Sequence, residues 1–324
     1  ISIIKMMIII RAIKPKLIHS HTIKTNLSAS LAAFVCDIPI VFSFTGLGRL
    51  SKGNFLKRFL LKFILKIIFI LSTENFIRFQ KISANNRKNA FIFQNQIDLN
   101  FFYKYIDTKK ISNSYLVYGS GIPKEYFYKK ESKNLWQIIN KNNPSLDQIN
   151  PIYCGRLLKS KGIELFLEIA KVMKDSPSFV FGETDHGSKD SLPLDIRLKI
   201  CEEYKNINFM GKVINPLLKI NMITPVLIFP SNYGEGLSRT ILEAMCLEIP
   251  VICSSNATSG VFNDELLYVA NSAKVEDYLE CIKRIKKDYQ NNNLIIKLKK
   301  AKQICIENFR EELIVKKTIN IYQK

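Results

Sequence analysis

The segment YCGRLLKSKGIELF, residues 153–166, places three basic side chains just before a predicted helix. Arg156, Lys159 and Lys161 crowd the start of that helix, and Ser160 is a candidate cap. The helix dipole is positive at this end, so the crowding makes sense if an anion lies among the cations. Arginine and lysine both bind phosphate oxygens. The alternative is an exposed basic turn without a ligand.

The loop SNYGEG follows the apolar run PVLIFP and leads into a second predicted helix. Its two glycines, Gly234 and Gly236, allow the backbone to approach a ligand closely. The amides near Leu237 and Ser238 are then donors at a helix N-terminus, which is a ready anion site. Further along, the carboxylate of Glu243 can accept hydrogen bonds from two sugar hydroxyls.

The same helix has a plainer interpretation. Glu235, Arg239 and Glu243 recur at every fourth position, which is the spacing of a salt-bridge ladder on one exposed helix face. Apolar residues such as Leu237 and Ile241 fall on the other side. The spacing alone leaves the ligand site and the surface ladder both open.

Two histidines in LIHSHTIKT end an apolar run of the first half. His19 and His21 are two positions apart, so they share one face of a strand. A metal site is not expected, because the remaining histidine is His186 and no carboxylate lies close in sequence. A hydrogen-bonding or acid–base histidine and a structural histidine remain as alternatives. The sequence also has no D-x-D pair, P-loop, zinc spacing or G-x-S-x-G elbow.

The elements that must position these residues alternate between short apolar runs and helical patterns. Predicted strands are KLIHSH, IPIVFSF, NAFIFQ and SYLVYG in the first half, and NPIYCG, SFVFG, INFMG, PVLIFP and IPVICS in the second. Predicted helices of the second half cover residues 162–174, 193–205, 237–247 and 273–289. Apolar strands without alternation, joined by helices, indicate parallel sheets covered on both faces. The fold class is therefore α/β, with two Rossmann-like doubly wound domains.

A polar segment divides these two blocks. Residues 1–148 form the predicted first domain, which includes a linker at 129–148. Residues 149–308 form the second domain, and residues 309–324 a terminal helix that packs back on the first.

The composition favours an anionic partner. The 324 residues carry a net charge of +20, which attracts nucleic acid, anionic lipid or phosphorylated small molecules. Nucleic acid is not expected, because the lysines are scattered and aromatic residues do not interleave with them. The seven cysteines are odd in number and lack C-x-x-C spacing, which favours a reduced, cytoplasmic compartment. A signal peptide is not expected either.

One stretch of the first half, FLKRFLLKFILKIIFIL at residues 55–71, is apolar and basic at once. Arg58, Lys62 and Lys66 recur every four residues, so the helix should not span a bilayer. It is either a core helix with a solvated basic edge or a helix that lies on an anionic membrane surface.

Together these segments resemble the retaining family 4 glycosyltransferases, which have the two-domain GT-B fold. The matching motifs are G-R-L-x-x-x-K-G, which begins at Gly155, and E-G-L-x-x-x-x-L-E-A-M, which begins at Glu235. The first half resembles the bacterial surface-polysaccharide branch of that family through IHSHTIKTNLSASLAA, FTGLGRL, FIFQNQIDLNFF and YGSGIP. The resemblance covers nearly the whole chain and implies two domains that face a cleft.

The resemblance also implies roles for individual residues. Arg156 and Lys161 would bind the diphosphate of a nucleotide-sugar donor, and Glu243 its ribose. Glu235 would bind the donor sugar, and His21 matches the family histidine near that sugar. The amides of three further residues would touch the phosphates or the sugar: Gly236, Leu237 and Ser238. Members of the family need no metal and no cofactor beyond the donor.

The implied activity is a retaining, metal-independent transfer of a hexosyl or N-acetylhexosaminyl group from a UDP-linked donor. The acceptor would be a lipid-linked saccharide at the inner face of the cytoplasmic membrane, in O-antigen or capsule synthesis. The family's first strand and glycine-rich loop have no counterpart here, so the first domain is expected to be incomplete and the chain N-terminally truncated. The segment NATSGVFNDELLYVANS also lacks the family's glycine-rich pattern. The alternative is therefore a truncated, non-catalytic relative that binds nucleotide and membrane.

Overall fold

The chain folds into two compact α/β units in this computed structural model. The structure describes residues 3–47, 55–82, 89–105, 113–128, 136, 149–185, 187–220, 224–232 and 236–323. Within these ranges, the first unit comprises the residues up to 121 together with 236–237 and 312–323. The second unit comprises those of 122–232 and 238–311.

The first unit is built on a parallel sheet. Its described strands are β1 (Ile18–His21), β2 (Ile40–Phe44), β3 (Ala90–Phe93) and β4 (Ser114–Leu116), in the order β1-β2-β3-β4. Its described helices are α1 (Ile3–Ile13), α2 (Ile23–Cys36), α3 (Phe55–Ile82) and α4 (Gln96–Tyr105). The last helix of the chain, α10 (Glu311–Tyr322), belongs to this unit from residue 312 onward.

Both faces of this sheet are apolar, and helices cover each of them. Parallel strands in sequential order, joined by right-handed crossovers, place the connecting helices on one face. On that face Phe44 stacks on Phe93, with ring centroids 4.9 Å apart, and buried residues of α2, α3 and α4 complete the core. On the other face Val41 and Ile92 pack with Ile314 of α10.

The second unit is built on a six-stranded parallel sheet. Its described strands are β5 (Asn150–Cys154), β6 (Ser178–Phe181), β7 (Ile207–Gly211), β8 (Pro225–Phe229), β9 (Val251–Ser254) and β10 (Tyr268–Ala270). Its described helices are α5 (Ile163–Val172), α6 (Leu194–Glu203), α7 (Arg239–Cys246), α8 (Val275–Gln290) and α9 (Asn293–Asn308). The order β10-β9-β8-β5-β6-β7 is the Rossmann order, in which the chain reverses direction across the sheet between β5 and β8.

The predicted fold class is confirmed. All nine predicted strands are present within their segments, and α5, α6, α7 and α8 lie at the predicted helices. The strand β10, in the segment NATSGVFNDELLYVANS, was not predicted. Its first residue, Tyr268, is anchored from outside the strand by a hydrogen bond from its hydroxyl to Asp288, at 2.7 Å.

Trp136 is the described residue of the predicted linker. Its side chain is buried in the core of the second unit, and its Nε1–H donates to the carbonyl of Pro225 at 3.1 Å. Its ring and that of Tyr289 form a T-shaped pair, with centroids 5.6 Å apart. This part of the segment is therefore held by the second unit.

Candidate functional site

The two charged motifs of the second unit follow neighbouring strands at the centre of its sheet. Arg156 comes directly after β5, and α7 follows the loop after β8. These two strands pair in parallel, with Ile152 opposite Leu227, so their carboxyl ends lie side by side. In open α/β sheets, ligands bind outside the carboxyl ends of strands where the chain reverses, and this pair marks that point.

A cavity of about 380 Å³ lies at this edge of the sheet. Its walls come from the ends of β5 and β6, the loop after β7 and the first turns of α7. The described residues that line it are Cys154, Gly155, Arg156, Phe181, Gly182, Glu183, Thr184, Asp185, Lys212, Val213, Pro216, Thr240 and Glu243. The structure thus brings Arg156 of the first motif and Glu243 of the second into one cavity.

Glu243 is a buried carboxylate, only 8% exposed. The Nε–H of Arg239 donates to its Oε1 at 2.7 Å, so this pair of the proposed ladder exists. The surface interpretation does not hold at Glu243, because α7 turns this carboxylate inward. Burial raises the pKa of Glu243, and the ion pair with Arg239 partly offsets that effect. Glu235 lies outside the described residues.

Tyr126 is a neighbour of Glu243 that the sequence patterns did not indicate. It is 1% exposed and ends a short 3₁₀ turn, Lys124–Tyr126. Burial and the nearby Glu243 carboxylate both raise the pKa of its hydroxyl. The segment YGSGIP, which directly precedes this turn, is the nearby sequence feature that could have drawn attention to Tyr126. A neutral phenol therefore lies beside the carboxylate proposed to bind ribose.

Arg156 and Lys159, two of the cations after β5, have carboxylate partners within the protein. Lys161 ends the 3₁₀ turn Lys159–Lys161 and is not among the described residues that line the cavity. The Nη1–H of Arg156 donates to Asp185 Oδ2 at 2.8 Å, and Lys159 pairs with Glu164 at 2.9 Å. The side chain of Arg156 remains 58% exposed at the cavity. An anionic ligand is therefore not required to explain the crowding of charge in this turn. The geometry still leaves an exposed guanidinium at the cavity wall.

The start of α5 differs from the prediction. Ser160 does not cap the helix, because its hydroxyl donates to the carboxylate of Asp190 instead. Gly162 precedes α5 with φ of 79°, and a Cβ at this position would overlap the carbonyl oxygen of Pro230. The backbone N–H of Asn232 also donates to the backbone carbonyl of Ser160 at 3.0 Å. The glycine of the motif therefore lets the loops after β5 and β8 pack against each other.

Gly236 is also required by close packing. A Cβ on Gly236 would lie 2.7 Å from Gln94 Oε1 and 2.7 Å from the carbonyl oxygen of Thr45. Its own carbonyl accepts from Asn95 Nδ2 at 3.2 Å. These protein contacts by themselves account for a glycine at this position, and its backbone amide remains a predicted contact of the donor. Leu237 and Ser238 follow it and are both buried before α7 begins at Arg239.

The two histidines of β1 share one face, as predicted, with ring centroids 4.2 Å apart. His19 lies between Ser43 and Tyr322: its Nε2 is 2.7 Å from Ser43 Oγ, and its Nδ1 is hydrogen-bonded to the Tyr322 hydroxyl. His21 ends the strand and is exposed. His186 lies outside the described residues. The structure thus gives His19 two hydrogen-bond partners, whereas the resemblance assigns the role near the donor sugar to His21.

Helix α3 combines features of both interpretations of the basic segment. Leu61, Leu65 and Ile68 are fully buried in the core of the first unit. Phe55 and Phe59, on the outer side, are 85% and 58% exposed. Among the described helices, none is long and apolar enough to cross a membrane.

Comparisons with known proteins agree with this fold. Residues 149–288 match the family model described as glycosyl transferases group 1, and residues 1–77 match the model described as glycosyl transferase 4-like. The chain is 25% identical over 305 residues to the capsular polysaccharide biosynthesis glycosyltransferase CapM of Staphylococcus aureus, covering 89% of this chain and 71% of that protein. It is 30% identical over 132 residues to TuaC of Bacillus subtilis, named for teichuronic acid biosynthesis.

The match to TuaC covers 40% of this chain and 31% of that protein. Among solved structures, HepE of Anabaena in complex with UDP is similar, with a TM-score of 0.72 and 15% identity. That similarity covers 98% of this chain and 80% of HepE, and it shows the shared fold. The parallel α/β architecture matches that of GT-B glycosyltransferases. Residues 149–288 are therefore similar to the glycosyl transferases group 1 family, and residues 1–77 to the glycosyl transferase 4-like family.

Proposed function

We propose that this chain is a retaining, metal-independent glycosyltransferase. It moves a hexosyl or N-acetylhexosaminyl group from a UDP-linked donor to a lipid-linked saccharide in the assembly of a surface polysaccharide, O-antigen or capsule. The observation that carries the proposal is that Arg156 and Glu243 line one cavity at the reversal point of the second sheet. CapM is named for capsular polysaccharide biosynthesis, which supports the product class. The structure of HepE was determined in complex with UDP, which supports the donor.

The cavity in the second unit is the proposed site of the nucleotide. Arg156 offers a guanidinium with five N–H donors, of which Asp185 engages Nη1. Because Arg156 lines the cavity and its side chain is largely exposed, we assign its remaining donors to the diphosphate, together with Lys161 of the following turn. Glu243 accepts from the ribose hydroxyls, because a carboxylate has about four acceptor positions and Arg239 takes one.

The proposed chemistry follows from where charge develops. Cleavage of the bond between sugar and phosphate leaves negative charge on the nucleoside diphosphate and positive charge on the sugar ring. Arg156 and Lys161 stabilise the leaving group as that charge grows, which lowers the barrier more than it lowers the energy of the bound donor. Glu235 and the amides of residues 236–238 hold the sugar, with His21 beside it. The acceptor hydroxyl attacks from the face that the diphosphate leaves, and its proton passes to the departing diphosphate oxygen, so the configuration is retained.

The proposed location is the inner face of the cytoplasmic membrane, where lipid-linked saccharides would be accessible. Exposed phenylalanines of α3 lie on the same helix as Lys57, Arg58 and Lys62. Apolar side chains among cations suit a surface rich in anionic lipid. The net charge of +20 adds a long-range attraction to the same surface.

Calorimetric titration of the purified chain with UDP tests the donor site. Arg156→Ala should weaken UDP binding roughly ten- to hundredfold, the effect of losing a hydrogen bond from a charged group. Glu243→Ala should also weaken it, and both variants should lose transfer of sugar to a lipid-linked acceptor. Arg197→Ala on α6 is the matched control, because this arginine lies over the ring of Phe209 and outside the cavity.

Full transfer activity in both cavity variants would contradict the proposal. Binding of UDP without any turnover of UDP-sugars would instead favour the alternative, a nucleotide-binding relative without catalytic activity. Thermal unfolding of each variant separates lost binding from lost folding.

A further inference from the structure

A second cavity, of about 530 Å³, lies in the first unit at the carboxyl ends of its strands. Its volume is within the range of about 300–1,000 Å³ that small-molecule sites occupy. One wall is formed by strand ends and the loops after them, and the other by α10. Like the cavity of the second unit, it lies where open α/β sheets bind ligands.

The polar groups of this cavity are hydroxyls, an amide and imidazoles. The hydroxyl and amide side chains that line it are Ser43, Thr45, Gln94, Ser120 and Thr318. None of the described lining residues is an Asp, Glu, Lys or Arg, although the chain has 48 Lys and Arg and 28 Asp and Glu residues. Hydroxyls and amides both donate and accept hydrogen bonds, as sugar hydroxyls do. Among the described lining residues, a uronate would find no Lys or Arg to replace the hydration that its carboxylate loses on entry.

His19 joins the two walls without adding charge. Its imidazole is hydrogen-bonded to Ser43 on β2 and to Tyr322 on α10. Burial and the adjacent His21 lower the pKa of His19 to about 4, so the ring is neutral near pH 7. Thr318 lies one turn before Tyr322 on the same side of α10, and both line the cavity. The link to His19 therefore holds this side of α10 at the cavity. The hydroxyl of Thr318 donates to the carbonyl of Ile314 at 2.9 Å, which leaves its acceptor positions for a ligand.

We propose that this cavity holds the terminal sugar of the acceptor, and that it selects a sugar without a charged group. The occupant is a neutral hexose or an N-acetylhexosamine, and uronic acids are excluded. Thr318 is a residue that determines this specificity, and Tyr322 positions it. The proposal rests on the proposed function, since it assigns the acceptor that such a transferase would use.

Saturation-transfer NMR on the full chain tests the selectivity directly. Methyl glucoside and N-acetylglucosamine should receive magnetisation from the protein, whereas glucuronate and galacturonate at equal concentration should not. Equal signals from uronates and neutral sugars would overturn the proposal, and so would silence from every neutral sugar. This comparison uses the unmodified protein, so it does not depend on a variant that folds.

A charge placed in the cavity provides the second measurement. Thr318→Glu should weaken the neutral-sugar signal by about tenfold or more, because it buries a carboxylate without a partner. Asn320→Glu, on the exposed side of the same helix, is the matched control and should keep the signal. An unchanged signal in Thr318→Glu would overturn the assignment of this residue.

Titration with UDP separates this proposal from the donor assignment. UDP affinity should stay within about twofold of the unmodified chain in both α10 variants, because their positions lie outside the proposed nucleotide cavity. Sugar selectivity without any UDP binding would contradict the proposed transferase and leave the selectivity supported. UDP binding with uronates accepted as well as neutral sugars would contradict the selectivity alone.

Discussion

Glu243 is held where burial disfavours its charge, although the proposed role needs a carboxylate. Its pKa is raised chiefly by burial, and Arg239 offsets only part of the effect. A raised pKa means that the folded state binds the proton more tightly than the unfolded chain does. The stability of the protein therefore falls as pH rises through that raised pKa. Such a cost is typical of residues kept for function rather than for stability.

Glu243→Gln should make the chain more stable at pH 8 and a weaker binder of UDP. The amide removes the buried charge, while its oxygen can still accept from the half-exposed Arg239. The gain in the free energy of unfolding should shrink as the pH approaches the ordinary glutamate pKa of about 4.3, where the native carboxyl is protonated anyway. Denaturant unfolding at several pH values measures this gain in the free energy of unfolding, and Glu202→Gln, at an exposed position, is the control. Lower stability than the unmodified chain at pH 8 would refute the expectation.

At the scale of the element, α3 has two apolar sides with different surroundings. The residues at 61, 65 and 68 recur at helical spacing and fill the core of the first unit. The phenylalanines at 55, 59 and 63 recur at the same spacing and remain more than half exposed. An exposed aromatic stripe next to cations has no role in the core of this unit. It is suited to the interface of an anionic membrane.

The substitution of Phe55, Phe59 and Phe63 by serine should reduce binding to vesicles that contain phosphatidylglycerol. The expected loss exceeds about tenfold, since each phenylalanine contributes roughly 1.5–3 kcal/mol when fully buried in an apolar phase. Added salt should weaken binding of the unmodified chain, because the electrostatic part is screened. Sedimentation with vesicles measures both effects.

The matched control replaces an exposed apolar set of the second unit by serine. Leu194, Ile196 and Leu198 are 58%, 41% and 55% exposed on α6, without a comparable run of cations. This variant should bind vesicles as the unmodified chain does. Equal losses in the two triple variants would show that general hydrophobicity, not α3, decides the binding.

At the scale of the whole molecule, helix α10 near the end of the chain covers one face of the sheet that is formed by strands near its beginning. Ile314 of α10 is 4% exposed and packs with Val41 and Ile92 on the sheet face opposite α2, α3 and α4. The same helix provides one wall of the cavity beside His19. The stability of the first unit and the shape of this cavity therefore depend on one helix.

Ile314→Ala should lower the free energy of unfolding by about 2–5 kcal/mol, the usual cost of removing a large buried aliphatic side chain. Ile296→Ala, at a position 66% exposed on α9, should change it by less than about 0.5 kcal/mol. Chemical denaturation monitored by circular dichroism compares the two. Similar small changes in both variants would show that α10 contributes little to the stability of the fold.

The sequence by itself determined the parallel sheets and the residues of the two charged motifs. Runs such as PVLIFP and IPVICS are apolar without alternation, which is a local property of strands buried on both faces. Arg156 and Glu243 were identified by residue type and spacing, and their placement at neighbouring strand ends follows from the α/β pattern.

Only the tertiary structure decided burial and the partners of these residues. The i, i+4 spacing of Arg239 and Glu243 is the same on a surface or in a core, so packing alone made Glu243 a buried carboxylate. Tyr126 lies far from Glu243 in sequence, and Tyr322 is separated from His19 by nearly the whole chain. Local periodicity carries no information on such contacts, because they arise when distant segments fold together.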